Sequence, residues 1–365
     1  MSIKIAILPG DGIGPEIMRE AIKVLTFLIE TSRLDATLTE SPFGASAYFS
    51  YGDSFPDVTK DICDDADVIL KGPVGLSYEE SKKIPVDLQP ERAAILPLRQ
   101  RYDTFANIRP VFLSEQARHF SPLKDSVIPN GIDMILVREL VGGLYFGSKE
   151  KGVNASGKRY VSESLEYDED QVRRILKVAF DIAKDRKGLL HNIHKSNVLL
   201  SSVLWNEVLD EIGQEYPEVE VVNMLVDAAA TALCLNPAQF DVMVMENMFG
   251  DILSDQAGGI VGSLGLMPSA CIGESKSYYE PSHGSAPDIA GLNIANPYSM
   301  IGSVAMMLEM SFNMTELSSQ LWSALHAVIE SGNVTRDLSD RVVSGRTVTT
   351  EEFGALVISE LEMSF

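Results

Sequence analysis

Two aspartates four residues apart, Asp251 and Asp255 in "NMFGDILSDQAGG", place two carboxylates one turn apart on one face of any helix that carries them. Like charges so arranged repel, so the pair belongs either on a solvated face or around a divalent cation. With oxygen donors alone the cation would be hard, Mg²⁺ or Mn²⁺, and not zinc. A third acid, Asp227, interrupts the apolar stretch "NMLVDAAATAL" and would need a partner to offset burial there. A rival metal pattern, His191-Asn192-Ile193-His194, lacks an evident third nitrogen or sulfur ligand and reads as surface or supporting histidine.

Arginines make a second set: Arg99 and Arg109 in "LRQRYDTFANIRP" and Arg138 in "ILVREL", each beside strand-like apolar sequence. Directed into a cleft, guanidinium groups suit bidentate recognition of carboxylates; taken singly, each is equally a surface ion pair. The third set is glycine. "ILPGDGIGPE" opens as a strand and then spaces Gly10, Gly12 and Gly14 as G-x-G-x-G, with Pro15 fitted to a first helical turn. The dinucleotide fingerprint is G-x-G-x-x-G, so the spacing favours a tight strand-to-helix turn, even though Glu40 stands where a ribose-binding acid would be expected.

These sets need a scaffold. The 365 residues exceed a usual single core, and 45% hydrophobic content suffices for two lobes. Alternation of apolar runs with helical patterns ("IKIAILP", a helix from Pro15 to about Ile29, "ATLTESPFG", a helix near Asp57 to Asp64, "ADVILKGP") predicts an α/β fold with a parallel sheet in the first lobe. An amphipathic helix is expected from Glu169 to Lys184 and a last one from Glu351 to Glu362. The second lobe is expected to begin near Phe105, and the final hundred residues to return to the first, giving lobes of residues 1–104 with 262–365 and of residues 105–261. Met300, Met306, Met307 and Met310, at helical spacing, read as core.

A formal net charge of −22 repels phosphate backbones and anionic lipid, which argues against nucleic-acid or membrane partners. Three scattered cysteines without a C-x-x-C spacing point away from disulfides and thiolate zinc and fit a reducing cytoplasm. The start "MSIKIAILP" leaves no room for a signal peptide's apolar region, and no apolar run approaches the ~18 residues of a membrane span.

Taken together and in order, "GDGIGPE", "LRQRYDTFANIRP", "VRELVGGLYFG", "HKSNVL", "NMFGDILSD" and "HGSAPDIAGLNIANP" resemble the β-decarboxylating dehydrogenases, the isocitrate/isopropylmalate dehydrogenase family, over nearly the whole chain. The resemblance implies that family's two-lobed fold, not a Rossmann fold, with a second lobe that forms a homodimer. It implies NAD held by the "HGSAPDIAG" loop, with His283, Gly284, Ser285, Ala286 and Asn296 around the adenine and Asp288 on the ribose hydroxyls. A carboxylate there accepts from a 2′-hydroxyl and repels a 2′-phosphate, and Ile289 adds no cation. Asn197 matches a position near the nicotinamide.

The implied reaction is oxidation of a 2-hydroxy acid at C2 and loss of CO₂ from its β-carboxylate. The implied roles are a Mg²⁺ or Mn²⁺ site at Asp227, Asp251 and Asp255, with Asp227 also touching substrate; Lys195 as base for the hydroxyl proton; Tyr145 as acid toward C3; and Arg99, Arg109 and Arg138 on the substrate carboxylates. Ile95, Leu96 and Val198 match an apolar pocket for a branched alkyl group, with Glu91 at its rim, which points to the isopropylmalate branch. Other 3-substituted malates, tartrate and homoisocitrate are the alternatives, and a catalytically silent binding subunit is opposed by the retained Tyr145, Lys195 and three aspartates. The resemblance also implies that Lys195 and Asp227 reach into the neighbouring subunit's cleft. Three stretches depart from the isopropylmalate pattern: "KGPVGLSYEES", "LVDAAA", and His194 before the lysine.

Overall fold

The computed structural model describes residues 2–342 and 344–365. Strands β1 (Ile3–Leu8), β2 (Ala36–Glu40) and β3 (Val68–Lys71) alternate with helices α1 (Gly14–Glu30), α2 (Ala45–Tyr51) and α3 (Asp57–Asp65). After α4 (Tyr78–Ser81), a π-helical turn (Glu91–Ile95) runs into α5 (Leu96–Arg101). The middle of the chain supplies β4 (Ala106–Leu113), β5 (Ile132–Glu139), an exposed hairpin of β6 (Lys149–Val153) and β7 (Arg159–Glu163), α6 (Glu169–Lys184), β8 (Leu189–His194), α7 (Leu200–Gly213), β9 (Glu220–Leu225), α8 (Val226–Leu235), β10 (Val242–Met245) and α9 (Asn247–Val261). The remainder adds β11 (Pro268–Ile272), β12 (Tyr278–Pro281), α10 (Tyr298–Phe312), α11 (Thr315–Glu330) and α12 (Thr350–Ser364).

Ten of these strands form one sheet in the order β2-β1-β3-β12-β11-β4-β5-β10-β8-β9. Each wing is parallel: β2, β1, β3 and β12 on one side, β5, β10, β8 and β9 on the other. The centre is antiparallel, β12 to β11, β11 to β4, and β4 to β5 from Ala106↔Glu139 to Leu113↔Ile132. The parallel sheet expected in the first lobe is present as one wing, and it continues through the antiparallel centre into a second parallel wing. Apolar periodicity identifies strands but not their direction, which follows from the connection: the short turn 273–277 can only return β12 antiparallel to β11.

Local sequence explains the covering helices. In α1, Pro15 occupies the first turn, and Ile17, Met18, Ala21, Val24, Leu25 and Leu28 recur on one buried face; full burial of each larger side chain is worth roughly 1.5–3 kcal/mol. Helix α6 begins in a capping box of Asp168 and Gln171. Met300, Met306 and Met307 of α10 are buried as expected, but Met310 is exposed and belongs to a groove with Phe112, Trp322 and His326. No helix among the described residues is long and apolar enough to cross a membrane, and all three cysteines are free thiols.

The glycine turn joins three segments. The backbone N–H of Asp11 donates to Pro73, that of Ile13 to Ser285 and that of Gly14 to Asp11, so these groups are unavailable to a phosphate. Gly12 has φ +57°, and a Cβ there would lie 2.0 Å from the Ser285 carbonyl oxygen. Glycine is required for this close backbone approach, as the spacing suggested. Between the glycines, the buried Asp11 carboxylate accepts from the N–H groups of Ala45, Ser46 and Gly75 at 2.9–3.0 Å, capping α2 and tying down the 72–77 loop. Asp11→Ala would leave three donors without their acceptor and should cost about 2–4 kcal/mol. Urea unfolding of the variant measures this, and an unchanged midpoint would contradict the clamp.

Candidate active site

Strands β4 and β5 and helix α9 build the centre of the site. Arg109 of β4 and Arg138 of β5 point to the same face of the sheet, against α9, and both are buried. Gly250 makes room: a Cβ at that position would lie 2.5 Å from Arg138 Cγ. Arg138 donates to Asn247 Oδ1 through Nε (3.1 Å) and Nη2 (2.7 Å) and forms an ion pair with Asp251. Arg109 donates to Asn107 Oδ1 (2.7 Å) and Ser254 Oγ (2.5 Å), with Asp255 at 3.9 Å. Arg99, at the end of α5 and also buried, donates to Tyr278 Oη at 3.2 Å. Singly these arginines could have been surface ion pairs; here they are three interior cations.

Asp251 and Asp255 lie one turn apart on α9, whose first turn is capped by the Glu246 carboxylate on the N–H groups of Met248 and Phe249. Tyr145, in the short helical turn Gly143–Tyr145, donates its phenol to Asp251 Oδ2 at 2.7 Å. The loop bearing it is anchored through Asn247 Nδ2 on the Gly142 carbonyl and by the Tyr167 ring packed over Gly142 and Gly143. Burial pushes the Tyr145 phenol up to about 12, with Asp251 adding to the shift. Burial lowers Arg138 to about 10 against the pull of Asp251, and Arg109 and Arg99 lower it further. Burial raises Asp251, yet Arg138 and the Tyr145 hydrogen bond outweigh it and hold the carboxyl below its ordinary value. Asp255, with less compensation, is held above its ordinary value by burial.

Lys195 and Asp227 form a separate pair. Lys195, in the turn between β8 and α7, donates Nζ to Asp227 Oδ1 at 2.6 Å, and its backbone N–H donates to Ser202 Oγ. The Asp227 side chain is 67% exposed in the first turn of α8, so the acid expected to need a partner against burial is not buried in the single chain. Among the described residues no three His, Cys, Asp or Glu side chains converge on one metal position; the three-aspartate set is not assembled within one chain. Asn197 and Val198 are exposed in the Lys195 turn, whereas Ile95 and Leu96 are half-buried beside α5. His191 and His194, three apart on a strand, face opposite sides; His191 packs edge-on to Phe240 and His194 Nδ1 accepts from the Ser196 N–H, which excludes joint chelation.

A cleft of about 400 Å³ beside the glycine turn is lined by His283, Gly284, Ala286, Ile289 and Asn296, together with Ile13, Leu264, Arg336 and Asp337. Ser285 is buried, spliced to Ile13 through its carbonyl, and Asp288 is exposed. His283 Nε2 lies 3.0 Å from Ser299 Oγ, and burial lowers its basicity, leaving a neutral ring at pH 7. Asn296 donates to Asp337 Oδ2 at 3.1 Å. Glu91 approaches the same loop: a Cβ on Gly75 would lie 2.7 Å from Glu91 Oε1 and 3.4 Å from Ser285 Oγ. Sequence reasoning missed Asn107, Asn247, Gly250, Ser254, Arg336 and Asp337. Asn247, Gly250 and Ser254 had a local signal, their place in the acid-pair motif, and Asn107 lies within the arginine motif.

The model of the family described as isocitrate/isopropylmalate dehydrogenase matches residues 4–357. The chain is 44% identical to the 3-isopropylmalate dehydrogenase of Thermotoga maritima over 99% of each chain, and 44% identical to that of Hydrogenovibrio crunogenus over 99% of this chain and 100% of that one. Among solved structures, the isocitrate dehydrogenase of Methylococcus capsulatus superposes with a TM-score of 0.85 at 32% identity, covering 98% of this chain and 99% of that one. The β-decarboxylating dehydrogenase of Thermococcus kodakarensis gives 0.78 at 29% identity, covering 99% and 96%. Motifs, sheet and comparisons agree along the whole length, and the chain belongs to the isocitrate/isopropylmalate dehydrogenase family.

Proposed function

We propose that this decarboxylating dehydrogenase uses NAD and Mg²⁺ or Mn²⁺ to convert (2R,3S)-3-isopropylmalate to 2-oxoisocaproate in the leucine pathway. The observation that carries the reading is the cluster of three buried guanidinium groups, Arg99, Arg109 and Arg138, beside Tyr145 and the Asp251/Asp255 pair, next to the half-buried Ile95 and Leu96. Three interior cations match a substrate with two carboxylates; the aliphatic neighbours match a branched alkyl group at C3, each buried methylene being worth about 0.8 kcal/mol.

The donor set fits a hard cation. Asp251 and Asp255 offer only oxygen, one helical turn apart, and both carboxylates are partly open to solvent. A cation there would neutralise charge on the C2 oxygen, and NAD in the His283–Asn296 cleft would accept hydride from C2. The chain's own residues do the rest. The arginines fix both carboxylates and so align C2–H and the departing carboxylate. Lys195 takes the hydroxyl proton. When CO₂ leaves with its bonding electrons left on the substrate, Tyr145 gives its phenolic proton to C3, and the 2-oxo acid results. Burial, with Asp251 adding to it, pushes that phenol up to about 12, which favours the protonated form a proton donor needs.

Lys195 and Asp227 stand apart from Tyr145 and Asp251 within one chain, and Val198 of the Lys195 turn, with Leu200, Val203, Leu235 and Ile252 of α7, α8 and α9, is exposed. A patch of this kind suits a second copy of the chain. In the homodimer we propose, residues 105–261 form the dimerising lobe, residues 1–104 and 262–365 the nucleotide lobe, and Lys195 and Asp227 complete the partner's site. The free thiols fit a reducing cytoplasm.

Assay against a panel of 3-isopropylmalate, isocitrate, homoisocitrate and tartrate should give the highest kcat/KM with the first; preference for a tricarboxylate would move the chain to another branch. Asp251→Asn should need far more Mg²⁺ or Mn²⁺ for half-maximal activity, and full activity in excess EDTA would contradict the metal assignment. NAD should be preferred over NADP despite Arg336 in the cleft, because Asp288 repels a 2′-phosphate. Asp288→Lys with Ile289→Tyr should reverse the preference, and equal use of both cofactors by the unmodified enzyme would refute it. Tyr145→Phe should lower kcat by about 10²-fold or more while leaving any alkaline limb below pH 10 in place. Loss of that limb would show that the phenol titrates lower than its burial implies.

A further inference from the structure

Lys71 ends β3 in "VILK" and opens "KGPVGLSYEES", one of the stretches that depart from the isopropylmalate pattern, and its ammonium is fully buried. A lysine is almost never found so deep without a partner. Its partner is the buried Glu280 of β12: Nζ lies 2.5 Å from Oε2 and also donates to the Gly72 carbonyl at 3.0 Å. The registers Tyr278↔Ile69, Ser269↔Glu280, Cys271↔Asn107 and Asn107↔Arg138 put Lys71, Glu280, Tyr278, Cys271, Ser269, Asn107, Arg109 and Arg138 on one face of adjacent strands β3, β12, β11, β4 and β5.

Hydrogen bonds link them. The Cys271 thiol donates to Glu280 Oε1 at 3.5 Å; Asn107 Nδ2 donates to Cys271 Sγ at 3.2 Å and to Ser269 Oγ at 2.7 Å; Asn107 Oδ1 accepts from Arg109 Nε. A side branch runs through Tyr278, two residues before Glu280, to Arg99. Every member is buried, so none can replace a lost partner with water at low cost. Burial raises the Glu280 carboxyl, and Lys71 first, then Arg99, outweigh it and keep the group ionised.

We propose that Lys71 is a positioning residue for substrate binding: by holding Glu280, it fixes the cross-sheet row that aims Arg109, and through Tyr278 Arg99, at the substrate carboxylates. Without the ammonium, Glu280 loses the partner that holds its carboxylate in place and ionised, and the row it anchors loosens at Arg109 and, through Tyr278, at Arg99. Neither Lys71 nor Glu280 lines the cleft around His283 and Asn296.

The inference rests on the 3-substituted-malate reading, and steady-state kinetics separate the two. An unmodified enzyme inactive on every 3-substituted malate defeats that reading, whereas the positioning role is judged only on an active enzyme. Lys71→Met, which keeps the volume, should raise the substrate KM by about tenfold and change the NAD KM by less than about twofold. Lys71→Met with Glu280→Gln removes both charges and should return the substrate KM to within about threefold of the parent. If Lys71→Met does not fold, the double variant and Glu280→Gln alone remain: the latter loosens the same row and should raise the substrate KM selectively. An unchanged substrate KM in the folded single variants, equal impairment of Lys71→Met and the double variant, or parallel rises in both KM values would each overturn the assignment.

Discussion

Three guanidinium groups, Arg109 and Arg138 from one sheet and Arg99 from the helix beside it, are the buried constraint around which this molecule is organised. Each interior cation carries a desolvation cost of several kcal/mol that only close, well-directed partners offset, and the chain, although it bears a net charge of −22, places just a few carboxylates within reach. Asp251 meets Arg138, Asp255 stands 3.9 Å from Arg109, and Glu280 lies in the field of Arg99 while bound to Lys71. The neutral partners Asn247, Asn107, Ser254 and Tyr278 finish the hydrogen bonding without adding negative charge. The result is a pocket left electropositive inside an acidic protein, a setting in which a small dicarboxylate is attracted and larger polyanions are turned away by the surface.

The antiparallel centre of the sheet is what lets this cluster exist. Strands β4 and β11 bring one segment from each half of the chain edge to edge, so that Arg109 and Arg138 share a face with Glu280 and Lys71. The glycine turn plays the matching part beside the cleft proposed for the nucleotide. Its backbone is committed to Pro73 and Ser285 and its aspartate to α2 and Gly75, which fixes the loop bearing Ser285 and Ala286 relative to the first strand. The proposed sites for dicarboxylate and dinucleotide are thus set by two rigid junctions of backbone, and Lys195 and Asp227 sit on neither.

How much of this was legible in sequence follows from the range of the interactions. Helix α6 is found over Glu169–Lys184 as expected and α1 over Gly14–Glu30 in place of Pro15–Ile29, because capping and 3.6-residue periodicity are local. The helical face shared by Asp251 and Asp255 was readable for the same reason. Strand direction was readable where strands alternate with helices, as in the parallel β1, β2 and β3, but not at the antiparallel centre, where it depends on connections and not on side-chain pattern. Nor was the environment of Asp227: an acid among alanines reads as buried, yet α8 turns that side chain to solvent, where Lys195 meets it. Lys71 closes the apolar run "ADVILK", and nothing near it in sequence announces Glu280, 209 residues on. The i, i+3 histidines failed as a metal motif because they fall on a strand, where that spacing separates the side chains.

The central claim is that one chain holds two incomplete parts, the arginine–aspartate–tyrosine cluster and the Lys195–Asp227 pair, and that a dimer joins them. The direct measurement is subunit complementation between two inactive homodimers, Lys195→Ala and Tyr145→Phe, mixed under conditions that exchange subunits and purified as heterodimers carrying two different tags. One cleft in each heterodimer would then combine an intact Tyr145, Asp251 and Asp255 from one chain with an intact Lys195 from the other, and kcat per heterodimer should approach half that of the parent dimer. Heterodimers as inactive as their two parents would mean that each site is completed within a single chain, which contradicts the account.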